Sequence, residues 1–187
     1  MRSLIYSMMV SLDGYVETPY REIDWTIPDE ELHTFANAQA REVGVFLYGR
    51  GLYEVMVDYW PTADANPSAT PYEVEFARIW RYKPKIVFST TLDTVEWNSR
   101  LVSDNAAEEV ARLKEQPGKD LLLGGATIAA SFMELGLVDE YRLFVHPVVL
   151  GAGTPFFPVL NTRLELALVE TRTFGSGVVY LRYVRRR

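Results

Sequence analysis

LLLGGATIAASFM, residues 121 to 133, compresses a strand, a pair of glycines and the start of a helix into one short run. Asp120 to Leu123 predicts a buried strand, and Gly125 to Leu135 predicts a helix closed by Gly136. LYGRGLYEVM, residues 47 to 56, has the same grammar. Val45 to Tyr48 is apolar and strand-like, Gly49-Arg50-Gly51 follows, and a helix then runs until it fades at Asp58-Tyr59-Trp60-Pro61. A helix start carries unpaired N–H donors and a partial positive charge, and glycine lets a phosphate come close to that backbone. Neither run has the glycine spacing of the common dinucleotide fingerprint, and an isolated glycine pair is more often turn chemistry. Two such handovers in one chain point to a dinucleotide.

Outward from these two runs, strands and helices alternate. Residues 2 to 10, RSLIYSMMV, predict a first buried strand that ends in the turn Leu12-Asp13-Gly14. Asp24-Trp25-Thr26-Ile27-Pro28-Asp29-Glu30-Glu31 opens a helix whose apolar stripe is Leu32, Phe35, Ala36 and Ala40. Residues 61 to 70 predict a mobile flap, and Thr70-Pro71-Tyr72-Glu73 is a capping box for a helix that ends before Pro84. Lys85 to Ser89 is a strand and Asp104 to Gln116 a helix. After that come strands only, at Glu140 to Val149, Leu164 to Thr171 and Val178 to Val184. The class is α/β, with a mixed, mainly parallel sheet, antiparallel C-terminal strands, and one domain over residues 1–187.

Composition narrows the chemistry. The 187 residues are 48% hydrophobic and include no cysteine, which excludes disulfides, iron–sulfur clusters, thiolate zinc sites and a thiol nucleophile, and fits the cytoplasm. With 25 acids against 19 bases, the net charge of -6 argues against a nucleic-acid partner. The N-terminus lacks the pattern of a signal peptide, and the apolar runs are strand-sized, so no membrane span is expected. Arg185-Arg186-Arg187 reads as a solvated end. There is no G-x-S-x-G elbow, H-E-x-x-H pair or Walker loop.

Ser89, Thr90 and Thr91 place hydroxyls at the carboxyl end of a strand, where open α/β sheets bind ligands. Arg50 adds a planar cation suited to phosphate. Most acids at the first helix favour its dipole. Glu31 stands out, because it shares a turn with Leu32 and Phe35; a partly buried carboxyl there has a raised pKa and can protonate a heterocycle. Asp13 lies at the mouth of the same cleft. His33 and His146 are too isolated for a metal site and read as structural. Phe144, Val145, Val148, Val149, Phe156 and Phe157 put apolar groups near the late strands and predict a homodimer there.

Taken in order, RSLIYSMMVSLDGYVE, LYGRGLYEVM, IVFSTTL, LLLGGATIAASFM and YRLFVHPVVLGAGTPFFP resemble the dihydrofolate reductase-like superfamily. Within it the pattern is similar to the reductase domain at the C-terminus of the bifunctional riboflavin-biosynthesis deaminase/reductase. The zinc deaminase half has no counterpart here, since its cysteines are missing. The resemblance implies a three-layer α/β/α fold and an NADPH site. Gly49, Arg50, Gly51, Leu52, Gly124, Gly125, Ala126 and Thr127 would meet the cofactor phosphates, with Ser89, Thr90 and Thr91 near the adenosine ribose and its phosphate. Val10, Gly14 and Val16 would flank the nicotinamide. Trp25, Pro28, Glu31, Leu32 and Phe35 approximate the folate-reductase pattern with an insertion, while Asp58, Tyr59 and Trp60 fall in the substrate region of the riboflavin type. The implied activity is hydride transfer to a small heterocyclic or carbonyl substrate, pteridine-like or ribosylaminopyrimidine-like. The alternative is a dinucleotide-binding regulatory module without turnover.

Overall fold

The computed structural model describes residues 1–26 and 28–186, so Ile27 and Arg187 of the expectations above lie outside the described residues. Its elements run β1 (Leu4–Ser11), β2 (Tyr15–Glu17), α1 (Glu30–Glu42), β3 (Val45–Gly49), α2 (Arg50–Tyr59) and a 3-10 turn (Trp60–Ala65). Then follow α3 (Pro71–Tyr82), β4 (Lys85–Phe88), β5 (Ser99–Val102), α4 (Ala106–Glu115), β6 (Leu121–Gly124) and α5 (Ala126–Glu134). The chain finishes with β7 (Glu140–His146), β8 (Thr154–Pro155), β9 (Leu166–Thr173) and β10 (Val179–Arg185).

Eight strands form one sheet in the order β5-β4-β3-β6-β1-β7-β10-β9, and β2 pairs with β8 beside it. Alternation along β1 divides the core into two layers. Leu4, Tyr6 and Val10 join Val110 and Leu113 of α4 and Ala129 and Phe132 of α5 on one face. Ile5 faces the other way, among Ala40 of α1, Tyr53 of α2 and Trp80 of α3. A sheet covered by helices on both faces needs nearly continuous apolar strands, as β4 and β6 are. The fold is therefore the three-layer α/β expected from the sequence, with β10 antiparallel to β7 and to β9.

Four details correct the sequence expectations. β7 was grouped with the antiparallel strands but pairs parallel to β1 from Ile5↔Glu140 to Ser11↔His146, and it stops at His146, before Pro147, which has no N–H to offer the ladder. α1 starts later than Asp24: Asp29 is its cap, accepting from the Leu32 amide at 2.9 Å, while Thr26 closes a turn on the Ile23 carbonyl. Residues 61 to 70 are not a loose flap. Pro61 and Ala63 are buried in the 3-10 turn, and Arg81 of α3 grips Asp64 through two bonds of 2.7 and 2.6 Å. β5 went unseen because SRLV is short and only half-buried. The capping box at Thr70 and Glu73 stands as expected, with both reciprocal bonds made.

Lys85 opens β4 with its side chain inside the protein, where Nζ donates to the carbonyls of Trp80 at 2.6 Å and Lys83 at 2.8 Å. Burial pushes its pKa down to about 8. Between that value and the ordinary lysine value near 10.4, the unfolded chain holds a proton that the folded chain has released, so stability rises with pH. Below pH 8 both states are protonated and the penalty is complete. Lys85→Met lacks this dependence. Its unfolding free energy should fall relative to wild type, by on the order of 2 kcal/mol, between pH 7.5 and 10 in urea titrations. A constant difference across that range would contradict the assignment.

Candidate functional site

β4, β3, β6 and β1 are neighbours in the sheet, so the segments leaving their carboxyl ends share one edge. Register holds those ends level: Gly49 lies opposite Phe88, and Tyr48 opposite Gly124. Both glycine handovers open helices there. Gly49 caps α2 and Gly125 caps α5, neither with a side-chain bond to the first turn, which leaves N–H donors facing outward. Gly125 has φ +101°, a conformation L side chains rarely adopt, and its amide donates to Met8 Sδ at 3.4 Å. The helix starts abut, since a Cβ on Gly125 would lie 3.6 Å from the Gly49 nitrogen. A Cβ on Gly124 would strike Leu52 Cδ2 at 2.4 Å, whereas one on Gly51 would meet nothing within 4 Å. Ala126 is buried beneath this edge and Thr127 exposed on it.

Arg50 connects the next segment. Its NH1 donates to Thr91 Oγ1 at 2.7 Å and its Nε to Glu54 at 2.7 Å. Ser89 Oγ accepts from the amides of Thr91 and Leu92, so the turn after β4 is shaped by its own hydroxyl, with Thr90 exposed. The Gly49, Gly124 and Ser89 groups thus form one continuous edge with an exposed cation on it. Gly14, at φ +92° with open space around it, closes the turn after β1. Val10 and Val16 are buried in the core, so they stand behind any ligand at this edge rather than exposed to it.

Two of the three acids expected to carry chemistry, Glu31 and Asp13, are otherwise engaged. Glu31 is exposed rather than desolvated. The Gly175 amide at 3.1 Å and Arg172 at 2.9 Å donate to its carboxylate and hold it below the usual carboxylate range, with the amide the larger cause. The expected raised pKa is therefore corrected. Its causes are the Gly175 amide after β9 and then Arg172 on β9, 144 and 141 residues away in sequence, which no local pattern announces. Asp13 is likewise held low, first by the Ser11 hydroxyl at 2.7 Å, and also accepts from the Leu150 and Gly151 amides, tying the β1 turn to the loop after β7. Asp58 is exposed on α2.

Aromatic residues divide into two groups. Phe35 packs edge-on against Phe144, Phe174 and Tyr180, with the Arg172 guanidinium 4.9 Å from its ring centre. Trp25 meets His146 edge-on at 5.4 Å. Trp60 instead packs on Phe76 at 4.4 Å and His33 at 5.8 Å, and the Tyr59 hydroxyl donates to Glu73 at 3.0 Å. Tyr59 and Trp60 thus bind α2 to α1 and α3; among the described residues they make no aromatic contact with Trp25 or Phe35. His146 was read as structural, yet it lies at the carboxyl end of β7, on the same edge as the glycines. Its V-H-P setting, at a strand end forced by proline, was the available signal. Two open hollows of about 400 and 510 Å³ lie elsewhere, around the amino ends of β3 to β5, away from this edge.

The family model for the RibD C-terminal domain matches residues 2–180. The uncharacterized protein YyaP of Bacillus subtilis (strain 168) is 40% identical over 185 residues, covering 97% of this chain and 94% of YyaP. A Shewanella sp. PV-4 crystal structure assigned to riboflavin biosynthesis superposes with a TM-score of 0.77 at 23% identity, covering 99% of each chain. Dihydrofolate reductase from Enterococcus faecalis, solved with NADP(H), superposes with a TM-score of 0.63 at 14% identity over 99% of this chain and 97% of that one. Both structural likenesses speak to the fold, and the resemblance drawn from the sequence motifs is borne out.

Proposed function

The chain belongs to the RibD C-terminal domain family, and on that premise we propose that it is an NADPH-dependent reductase that passes a hydride to a small heterocyclic or carbonyl compound, working in the cytoplasm. The observation that carries this is the abutment of two glycine-capped helix starts on adjacent strands, within reach of Arg50. A single helix start can serve any anion; two side by side suit a pyrophosphate.

Bound there, NADPH would supply the hydride. The protein's part is to hold and orient. Amides of Gly51, Leu52, Ala126 and Thr127 would hold the phosphates, and the hydroxyl turn at Ser89, Thr90 and Thr91 with Arg50 would receive the 2′-phosphate that distinguishes NADPH from NADH. Gly14 would border the nicotinamide with Val10 and Val16 packed behind it, and the acceptor would lie towards Trp25 and Phe35, on the α1 side of β1. Glu31 and Asp13, both held as anions, act here as positioning residues for the β9–β10 hairpin and the loop after β7. Asp58, Tyr59 and Trp60 shape the outer wall through α2.

Arg50→Ala should weaken NADPH binding by roughly tenfold and NADH binding far less, because an exposed cation shared with Glu54 is worth about 1 kcal/mol or a little more. Equal losses for both cofactors in calorimetry would remove Arg50 from the 2′-phosphate site. The reductase itself is tested by following reduced-nicotinamide absorbance with pterins, folates, ribosylaminopyrimidines and aldehydes. Turnover with one of these is expected. NADPH binding without turnover on any of them would favour the regulatory-module alternative.

We further propose a homodimer, on revised grounds. Phe144 and Phe156 are buried in the protein's own core and do not recruit a second copy, while Val149 and Phe157 of the same group stay exposed. β9 is one edge of the sheet, beyond β10, with Leu168 and Val169 half exposed, and a second β9 paired there would continue the sheet between two copies. Light scattering should give twice the chain mass at micromolar concentration, and the mass of a single chain would refute it.

A further inference from the structure

The larger hollow at the amino ends of the strands, about 510 Å³, opens where α1 and α3 finish. Arg41 from the end of α1, Arg78 from α3, Lys83 just after α3 and Lys119 from the loop before β6 all line it. No carboxylate does, in a chain with 25 acids and 19 bases. Gly44 is part of the same lining, and a Cβ there would lie 2.9 Å from Arg2 NH2, so a fifth cation stands directly behind the wall.

Helix dipoles explain part of this gathering. A helix carboxyl end carries roughly half a negative charge, and at the end of α1 Lys83 Nζ donates to the Val43 carbonyl at 2.5 Å and Lys119 Nζ to the Arg41 carbonyl at 3.4 Å. Two such ends do not offset four cations. The acids nearby are already engaged: Glu75 accepts from Arg41 and from the Asn37 amide group, Asp64 is gripped by Arg81, and Asp120 accepts from the Ser3 amide while it faces Arg2. Among the described residues Arg78, Lys83 and Lys119 form no ion pair. Lys83 holds its proton less firmly than an ordinary lysine, first through burial and then through the Lys119 charge. An ammonium has three N–H groups and a guanidinium five, so one carbonyl bond per lysine leaves most of these donors unused.

We propose that this hollow is a second binding site, for an oligophosphate, at the end of the sheet opposite the glycine edge. Adjacent cations with unused donors match a ligand that carries several negative charges and many acceptor oxygens close together. The chain's net charge of -6 turns away a long polyanion such as nucleic acid, which leaves a small one. Tyr82, 78% exposed and part of the lining, offers a ring on which a nucleoside base can stack, so the phosphate chain is taken either free or on a nucleotide. The site does not depend on the reductase reading, because it lies away from the edge where the glycine-capped helices start.

The test follows the backbone amides of the ¹⁵N-labelled full chain, without magnesium, as inorganic phosphate, tripolyphosphate and ATP are added in turn. Tripolyphosphate should shift the Gly44 and Lys119 amides and bind about tenfold or more tightly than phosphate, since it reaches several cations at once. Lys83→Gln should weaken tripolyphosphate by about tenfold, and Arg78→Gln or Lys119→Gln, both at exposed positions, by about three- to fivefold. Arg163→Gln removes an equal charge from a side chain that is 83% exposed and outside the hollow, and should change affinity by less than about twofold. Because Lys83 also caps α1, the two exposed variants decide the matter if Lys83→Gln does not fold. ATP binding more tightly than tripolyphosphate, with the excess lost in Tyr82→Ala, identifies the ligand as a nucleotide; ATP binding no more tightly identifies the phosphate chain alone. Equal affinity for phosphate and tripolyphosphate marks an adventitious ion only and overturns the proposal. So does an equal loss in Arg163→Gln, an absence of binding, or amide shifts confined to Gly51, Leu52, Ala126 and Thr127.

Discussion

Gly125→Ala is expected to lower NADPH affinity by about tenfold or more and to cost roughly 1–3 kcal/mol of stability. Gly125 holds φ +101°, where a Cβ is strained whatever the space around it. Relaxing that strain rotates the first turn of α5, and the turn cannot rotate without disturbing its neighbour, because the Gly49 amide lies 3.6 Å from the position of the new carbon. Two sets of phosphate donors are therefore misaimed by one methyl group. Calorimetry with NADPH, paired with urea unfolding, separates the effects. A variant that loses stability but binds within twofold of wild type would show that the two helix starts do not share one ligand.

Glu140→Ala should destabilise the fold by about 3–5 kcal/mol, since it breaks a buried ion network from its centre. Glu140 accepts from Arg142 at 2.6 Å and from Arg182 through two bonds of 2.9 Å, and its side chain is only 7% exposed. Arg142, 9% exposed, is left as a buried cation with its carboxylate gone. The network crosses β7 and β10, the one place where the parallel part of the sheet meets an antiparallel strand. Urea titration at neutral pH measures the loss directly. A change under about 1 kcal/mol would mean that solvent compensates the Arg142 charge, as at exposed pairs.

Legibility in the sequence followed the range of the interactions. Gly124-Gly125 and Gly49-Arg50-Gly51 were readable because glycine at a strand end states a backbone need within a few residues, and Thr70 to Glu73 because a capping box is local. Adjacency of the two glycine turns was inferable only through the alternation of strands and helices that makes β3 and β6 neighbours. What failed was long-range. Glu31 had the surroundings of a desolvated acid in its own helix, yet Gly175 and Arg172 arrive from the far end of the chain and hold it as an anion. Residues 61 to 70 looked loose by composition, but Arg81 on the following helix clamps Asp64. His146 looked like a core histidine because sequence cannot reveal that one ring nitrogen has a partner and the other has none.

The most direct test of the account is a calorimetric titration of the purified wild-type chain with NADPH and, separately, with NADH. One site per chain, with NADPH the tighter ligand, is the predicted result. Absence of binding heat for both cofactors over a range of temperatures, with no protection of the Gly51, Leu52, Ala126 and Thr127 amides from hydrogen exchange, would contradict it.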